Sequence, residues 1–340
     1  MIISPGAAPA RTVLILVLVA WLAGYGQAAD GPAHAGLDLL VVGDCGFSPP
    51  SPRTADQQAV GRAMADYVRG SGAICGGVLL AGDTFKVKIT GPNDLHLPGA
   101  ISSMFDTRAL GSPFYAAFGN HDYQYKAVTA LIEYSRLHPG SQWRVPDRWY
   151  RVDLPEQRPL VTVLVLDSNK AQLGKKAWQL ELAWMEQELS RPRGSAWRIV
   201  LAHHPLFSNG EHGDDPNLQA AWGPILRQHG VDLYVSGHDH VLQHLEIPGW
   251  PMTFLTSGGG GESVQRKVTQ GHGPFAAATY GFAAMEFGPS SVKVSLIDQT
   301  GRPLHVFRRD RAGRIETAEW ANGRMGETGN RKIGESESRP

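Results

Sequence analysis

Only two cysteines, Cys45 and Cys75, occur in 340 residues, which excludes a disulfide-built scaffold and any thiolate-rich metal site. Net charge is also missing: 32 basic side chains face 32 acidic ones, with no basic run, so nucleic acid is excluded as a binding partner. No internal repeat is present. No apolar run reaches the roughly 20 residues that a membrane-spanning helix needs. The longest, "TVLILVLVAWLAG", follows Arg11 and precedes "YGQAAD". A positive start, an apolar centre and a small-residue cleavage site after Ala28 predict a signal peptide over residues 1–28. The mature protein is then secreted or periplasmic, with no stable membrane span; the alternative is anchoring by an uncleaved segment. No cysteine follows "WLAG", which argues against a lipid anchor.

What remains is rich in glycine (40) and proline (23), as suits a loop-rich α/β chain. Continuous apolar runs, the signature of strands buried on both faces, occur at "LDLLVVGD" (37–44), "GVLLAGD" (77–83), "FYAAFGNHD" (114–122), "LVTVLVLDSN" (160–169), "WRIVLAHHP" (197–205) and "VDLYVSGHDH" (231–240). Helical patterns lie between them, the clearest being "KKAWQLELAWMEQELS", with Trp178, Leu182, Met185 and Leu189 on one face and Pro192 as its stop. From His244 onward, short strands separated by turn residues predict an antiparallel sheet. Cys45 follows the first strand and Cys75 precedes the second, so parallel strands would hold the thiols too far apart to bridge. The catalytic domain is expected over residues 37–310, and the polar stretch 311–340 as a flexible tail.

Five of these strands end in a polar cluster: "GDCG", "GDTF", "GNHD", "AHHP" and "GHDH". Any one of them reads as an ordinary cap or turn. Five together, at the carboxyl ends where α/β sheets place their sites, point to one constellation. Asp44, Asp83, Asn120, His203, His238 and His240 mix oxygen donors with imidazole, which suits zinc, iron or manganese. Two metals sharing a carboxylate are established machinery for in-line attack on phosphoesters. His238 and His240, one residue apart in a turn, can splay to one metal each.

The order "GDCG … GDTF … GNHD … VLAH … GHDH" resembles the metallophosphoesterases, and more closely the small, tartrate-resistant purple acid phosphatases. "AHHPLFSNGEHG" and "GHDHVLQHLE" carry the closest likeness, which runs from about Leu37 to Arg309. The resemblance implies a four-layer αββα sandwich, two mixed sheets flanked by helices. It implies a first metal on Asp44 and His240, Asp83 as the bridge, and a second metal on Asn120, His203 and His238. It further implies phosphomonoester hydrolysis by a metal-bound hydroxide, with His121 contacting the phosphate and His212 a candidate general acid. Histidine as a residue type titrates in the mildly acid range, so an acid phosphatase is expected. The alternatives are a phosphodiesterase or pyrophosphatase on the same site, or a non-catalytic phosphate- and metal-binding protein. His204 reads as packing behind the ligands, Asp122 and Asp239 as loop anchors, and Asp167 as a structural cap. "SGGGGES" (257–263) lacks the lysine of a nucleotide loop and reads as a permissive turn near the site.

The chain departs from that family at one place. The resembling enzymes carry tyrosine three residues after the bridging aspartate, where this chain has Lys86. Related metallophosphoesterases have histidine two residues after the first aspartate, where it has Gly46. The first metal is therefore expected to bind weakly, to be divalent and to leave the protein colourless, with Lys86 in a salt bridge or on substrate phosphate.

Overall fold

The computed structural model describes residues 1, 36–49, 54–72, 75–265, 267–321 and 324–327; residues 1–28 therefore lie, but for Met1, outside the described residues. In chain order the first elements are β1 (Leu37–Val42), α1 (Thr54–Ser71), β2 (Cys75–Ala81), α2 (His96–Met104), α3 (Thr107–Leu110), β3 (Phe114–Ala117), α4 (Asn120–Gln124) and α5 (Ala127–Leu137). Then come β4 (Tyr150–Leu154), β5 (Val161–Val165), α6 (Lys170–Ser190), β6 (Trp197–Leu201), α7 (Pro216–Gln228), β7 (Leu233–Ser236), β8 (Leu242–Leu245) and β9 (Thr253–Ser257). The chain continues through β10 (Phe275–Ala277), β11 (Gly281–Phe287), β12 (Ser291–Asp298), β13 (Pro303–Asp310), β14 (Ile315–Ala321) and β15 (Arg324–Glu327).

These strands form two mixed sheets, one in the order β15-β14-β13-β12-β11-β1-β2-β3 and the other β10-β8-β9-β7-β6-β5-β4. Successive side chains of a strand face opposite ways, and the second sheet shows why its strands are apolar throughout. Val163, Val165, Ile199, Leu201, Leu233 and Val235 join Leu39, Val41 and Phe282 of the first sheet in one core. Their neighbours Leu164, Val200 and Tyr234 pack outward on Trp178, Met185, Leu189, Trp222 and Leu226 of α6 and α7. On the far side Val60, Ala63 and Met64 of α1 cover the first sheet. The four layers are helix, sheet, sheet and helix, as expected.

β1, β2 and β3 run parallel in one sheet, and β5, β6, β7 and β9 run parallel in the other. Their carboxyl ends meet where the sheets are stitched by Gly43 N–H to Ser257 O (2.7 Å) and Gly260 N–H to Gly43 O (2.9 Å). Parallel β1 and β2 also separate the cysteines, and both are buried free thiols.

Two expectations need correction. The strands after His244 do not make a sheet of their own: β8, β9 and β10 extend the second sheet, with β9 parallel to β7, and β11 to β15 extend the first. Short strands show period-2 alternation without showing which edge they join. The segment from 311 is not all tail, because β14 pairs antiparallel with β13 through Val306–Ala318 and Arg309–Ile315, and Ile315 packs on the core. Among the described residues no helix is long and apolar enough to cross a membrane.

Candidate metal centre

Each candidate ligand sits two to four residues beyond a strand end. Asp44, Asp83 and His238 hold left-handed backbone angles, with φ of 57°, 50° and 70°. Such conformations cost about 1–3 kcal/mol each in a non-glycine residue and persist only where surrounding structure enforces them. Backbone hydrogen bonds hold two of these turns, with Asp44 N–H on Gly82 O (2.9 Å), Glu262 N–H on Asp44 O (3.0 Å) and Gly46 N–H on Asp83 O (3.0 Å). A side chain on Gly258 would come within 2.1 Å of Asp239 O and 2.8 Å of Asp44 Oδ2, so the glycine run lies flat beneath the site. It is a permissive turn against the site, as the sequence indicated.

Asp44 and Asp83 are 0% and 2% exposed, and their carboxylates share a cluster with the His203 imidazole, all ligand atoms within 4.8 Å. Asp44 Oδ2 accepts from His238 N–H (2.9 Å), while Asp44 Oδ1 is buried with no hydrogen-bond partner. His240 Nε2 stands 3.6 Å from that orphaned oxygen. His240 Nδ1–H donates to Ser263 O (2.5 Å), which leaves Nε2 as a lone pair facing Asp44. His203 Nδ1–H donates to Ala81 O (2.9 Å), and its Nε2 meets Asn120 Oδ1 at 3.2 Å and His238 Nδ1 at 3.1 Å. With the Nδ1 proton so placed, His203 Nε2 has no proton to give Asn120 Oδ1. Lone pairs converging without protons between them are what a cation resolves.

Electrostatics agree. Burial, and then the Asp83 charge, pushes the Asp44 carboxyl well above its ordinary range, against the backbone hydrogen bond from His238 and the Lys86 ammonium. Burial lowers His238, His204 and His240, which favours the neutral imidazoles that carry a lone pair. An orphaned buried oxygen, paired carboxylates and neutral imidazoles fit a hard or borderline divalent metal.

The matched family model is that of the calcineurin-like phosphoesterases, over residues 39–242. The chain is a calcineurin-like phosphoesterase. Tartrate-resistant acid phosphatase type 5 from Homo sapiens is 30% identical over 314 residues, spanning 84% of this chain and 94% of that relative. Among solved structures, GAP50, the anchor in the inner membrane complex of Plasmodium, is similar with a TM-score of 0.64 and 18% identity, covering 80% of this chain and 87% of that one. Purple acid phosphatase PPD1 from yellow lupin seeds is similar with a TM-score of 0.57 and 16% identity, covering 81% of this chain and 54% of that one. At such identities the two structures speak for the fold alone. The family implies a binuclear metal site and a phosphoester substrate, and the Asp/His cluster is the candidate for it.

In this phosphoesterase all six candidate ligands and both candidate catalytic histidines gather at one end of the sheets. His121 is the second residue of α4, with its N–H on Asp83 Oδ1 (2.8 Å) and its Nε2 3.9 Å from Asp83 Oδ2. His212 stacks on His238 with ring centroids 4.2 Å apart. Asp239 fastens the His212 loop by accepting from His212 N–H (3.1 Å) and Gln265, and Asp122 accepts from Phe85 and Gly119 N–H (3.0 and 2.9 Å). Both are loop anchors. Burial and the Asp83 charge raise the Asp122 carboxyl to about 8. Asp167 holds Tyr123 OH and Asn169, a structural role.

Two features were missed. His204 is not merely packed behind the ligands: a ring nitrogen lies within 4.8 Å of those of His203 and His238, and the residue lines a cavity of about 990 Å³ with Asn120, Ser168, Lys170 and Lys175. The doubled histidine of "AHHP" was the available signal. Glu262, at the end of the glycine run, accepts from Lys86 Nζ at 2.7 Å.

Asp44→Asn should raise the stability of the chelated protein while removing metal. The folded carboxyl titrates above the unfolded one, so its contribution is present below the ordinary carboxylate range and is lost as pH rises through the folded value. A single pKa unit is worth about 1.4 kcal/mol. Chelated Asp44→Asn should therefore melt several degrees above chelated wild type at pH 8, with the gap closing at about pH 4 and below. A variant that melts lower at pH 8 contradicts the account.

Proposed function

We propose that this phosphoesterase is an exported, metal-dependent acid phosphatase that cleaves phosphomonoesters. The observation that carries the reading is the convergence of Asp44 and His240 on one side, and Asn120, His203 and His238 on the other, about Asp83. Asp44 and His240 would hold the first metal, Asp83 would be shared, and Asn120, His203 and His238 would hold the second. When bound, the metal pair supplies an activated water and neutralises phosphate charge. His121 and His212, at the rim, contact phosphate oxygens, and His212 gives a proton to the departing oxygen. Relatives with acid phosphatase activity in their names support the monoester reading. The cavity beside Asn120 and His204, with Lys170 and Lys175, favours a second reading, in which the leaving group is large or carries another phosphate.

Mature protein turned over against aryl phosphate, bis-aryl phosphate and pyrophosphate separates these readings; the first expects aryl phosphate to dominate. Asn120→Ala and His203→Ala should each lose at least about 100-fold in kcat and one metal per chain, with the melting transition retained. Near wild-type turnover in either would remove these residues from the ligand set.

His212→Ala should slow alkyl phosphates more than nitrophenyl phosphate, because a proton donor matters most for a basic leaving group. Equal losses on both would leave His212 a binding residue only.

Export rests on residues 1–28. Amino-terminal sequencing of the mature protein should begin at Ala29; an intact amino terminus found in membranes would mean an uncleaved anchor instead.

A further inference from the structure

Neither Gly46 nor Lys86 supplies the additional first-metal ligand seen at these places in the resembling enzymes, yet the space is filled. Glu262 is 3% exposed, and its Oε1 lies 1.8 Å from where a side chain on Gly46 would begin. Gly46 also has φ +60°, so its seat is closed to a side chain by conformation and by occupancy. The Glu262 side chain thus takes up the space that glycine at 46 leaves open.

Glu262 is strapped to both residues of the first metal position. Its N–H donates to Asp44 O (3.0 Å), and the next carbonyl, Ser263 O, accepts from His240 Nδ1–H. Its Oε2 accepts from Lys86 Nζ at 2.7 Å. Lys86 is fixed at its root as well, through Lys86 N–H to Phe47 O (2.9 Å). The ammonium therefore stands at a set place, within electrostatic reach of both Asp44 and His240.

An ammonium has three protons and no lone pair, so it cannot ligate a metal. Among the described residues its one hydrogen bond is to Glu262, and the side chain keeps 20% of its surface open. The remaining protons suit an anionic oxygen. Glu262 cancels the charge that would otherwise repel a metal at Asp44, and it holds the donor still.

We propose that Lys86, anchored by Glu262, is a phosphate-binding residue at the Asp44–His240 end of the site, with Glu262 its positioning residue. The ligand class is a phosphate monoester or free phosphate. The proposal rests on the reading that this site takes phosphoesters.

The test uses manganese-loaded full chain, wild type, Lys86→Met and Glu262→Gln, each with its melting transition and metal stoichiometry measured first. Calorimetric titration with inorganic phosphate then reads the proposed contact. Lys86→Met should keep the wild-type metal count and bind phosphate about tenfold or more weakly. Its KM for nitrophenyl phosphate should rise by a similar factor, with a smaller change in kcat. Glu262→Gln retains the ammonium but frees it beside Asp44, so it should lose first-site metal, and the double variant should regain it. Unchanged phosphate affinity in Lys86→Met, or loss of metal in that variant, overturns the proposal. If wild type hydrolyses no phosphoester but Lys86→Met still loses phosphate affinity, the hydrolase reading fails and this contact stands.

Discussion

Two carboxylates, Asp44 and Asp83, are held out of water against each other, and the Asp44 Oδ1 lone pairs meet no donor. Holding two carboxylates this close and out of water is costly to their charged forms, and it pushes the Asp44 carboxyl well above its ordinary range. Nothing in the packing of the sheets asks for that cost. The left-handed backbone at Asp44, Asp83 and His238, the flat glycine run beneath them and the two histidine tautomers set by Ala81 O and Ser263 O all serve to keep the donors facing one another. A cation turns this stored repulsion into binding, so the fold is poised for metal at the expense of its own stability.

The parts of the site that could be read directly from the sequence are those in which local pattern and function coincide. A doubly buried strand must be apolar along its length, so "LDLLVVGD" and "GVLLAGD" announce both the strand and the aspartate at its end. The parallel order of β1 and β2, inferred from such runs, also placed Cys45 and Cys75 apart. What could not be read is tertiary. Lys86 and Glu262 are 176 residues apart, and only the folded chain shows that Glu262 fills the space above Gly46. The strands after β7 are short and bounded by turn residues, but that pattern does not reveal that β9 runs parallel to β7 while β11 crosses to the other sheet. Polarity beyond residue 310 hid β14, which pairs antiparallel with β13.

The likeness to the human acid phosphatase spans nearly the whole of that relative, and Gly46 and Lys86 stand where the resembling enzymes carry a further first-metal ligand. Replacing an anionic ligand by a neutral lysine–glutamate pair lowers the negative charge around the first metal. In the proposed centre, that change would favour a divalent ion over a trivalent one and would set a hydrogen-bond donor on the phosphate side.

The most direct test of the account is anomalous diffraction from crystals of the metal-loaded protein. It predicts two peaks, one against Asp44 and His240 and one against Asn120, His203 and His238, with Asp83 between them. A single peak at the second position, with Lys86 Nζ on Asp44 in place of the first, would contradict it.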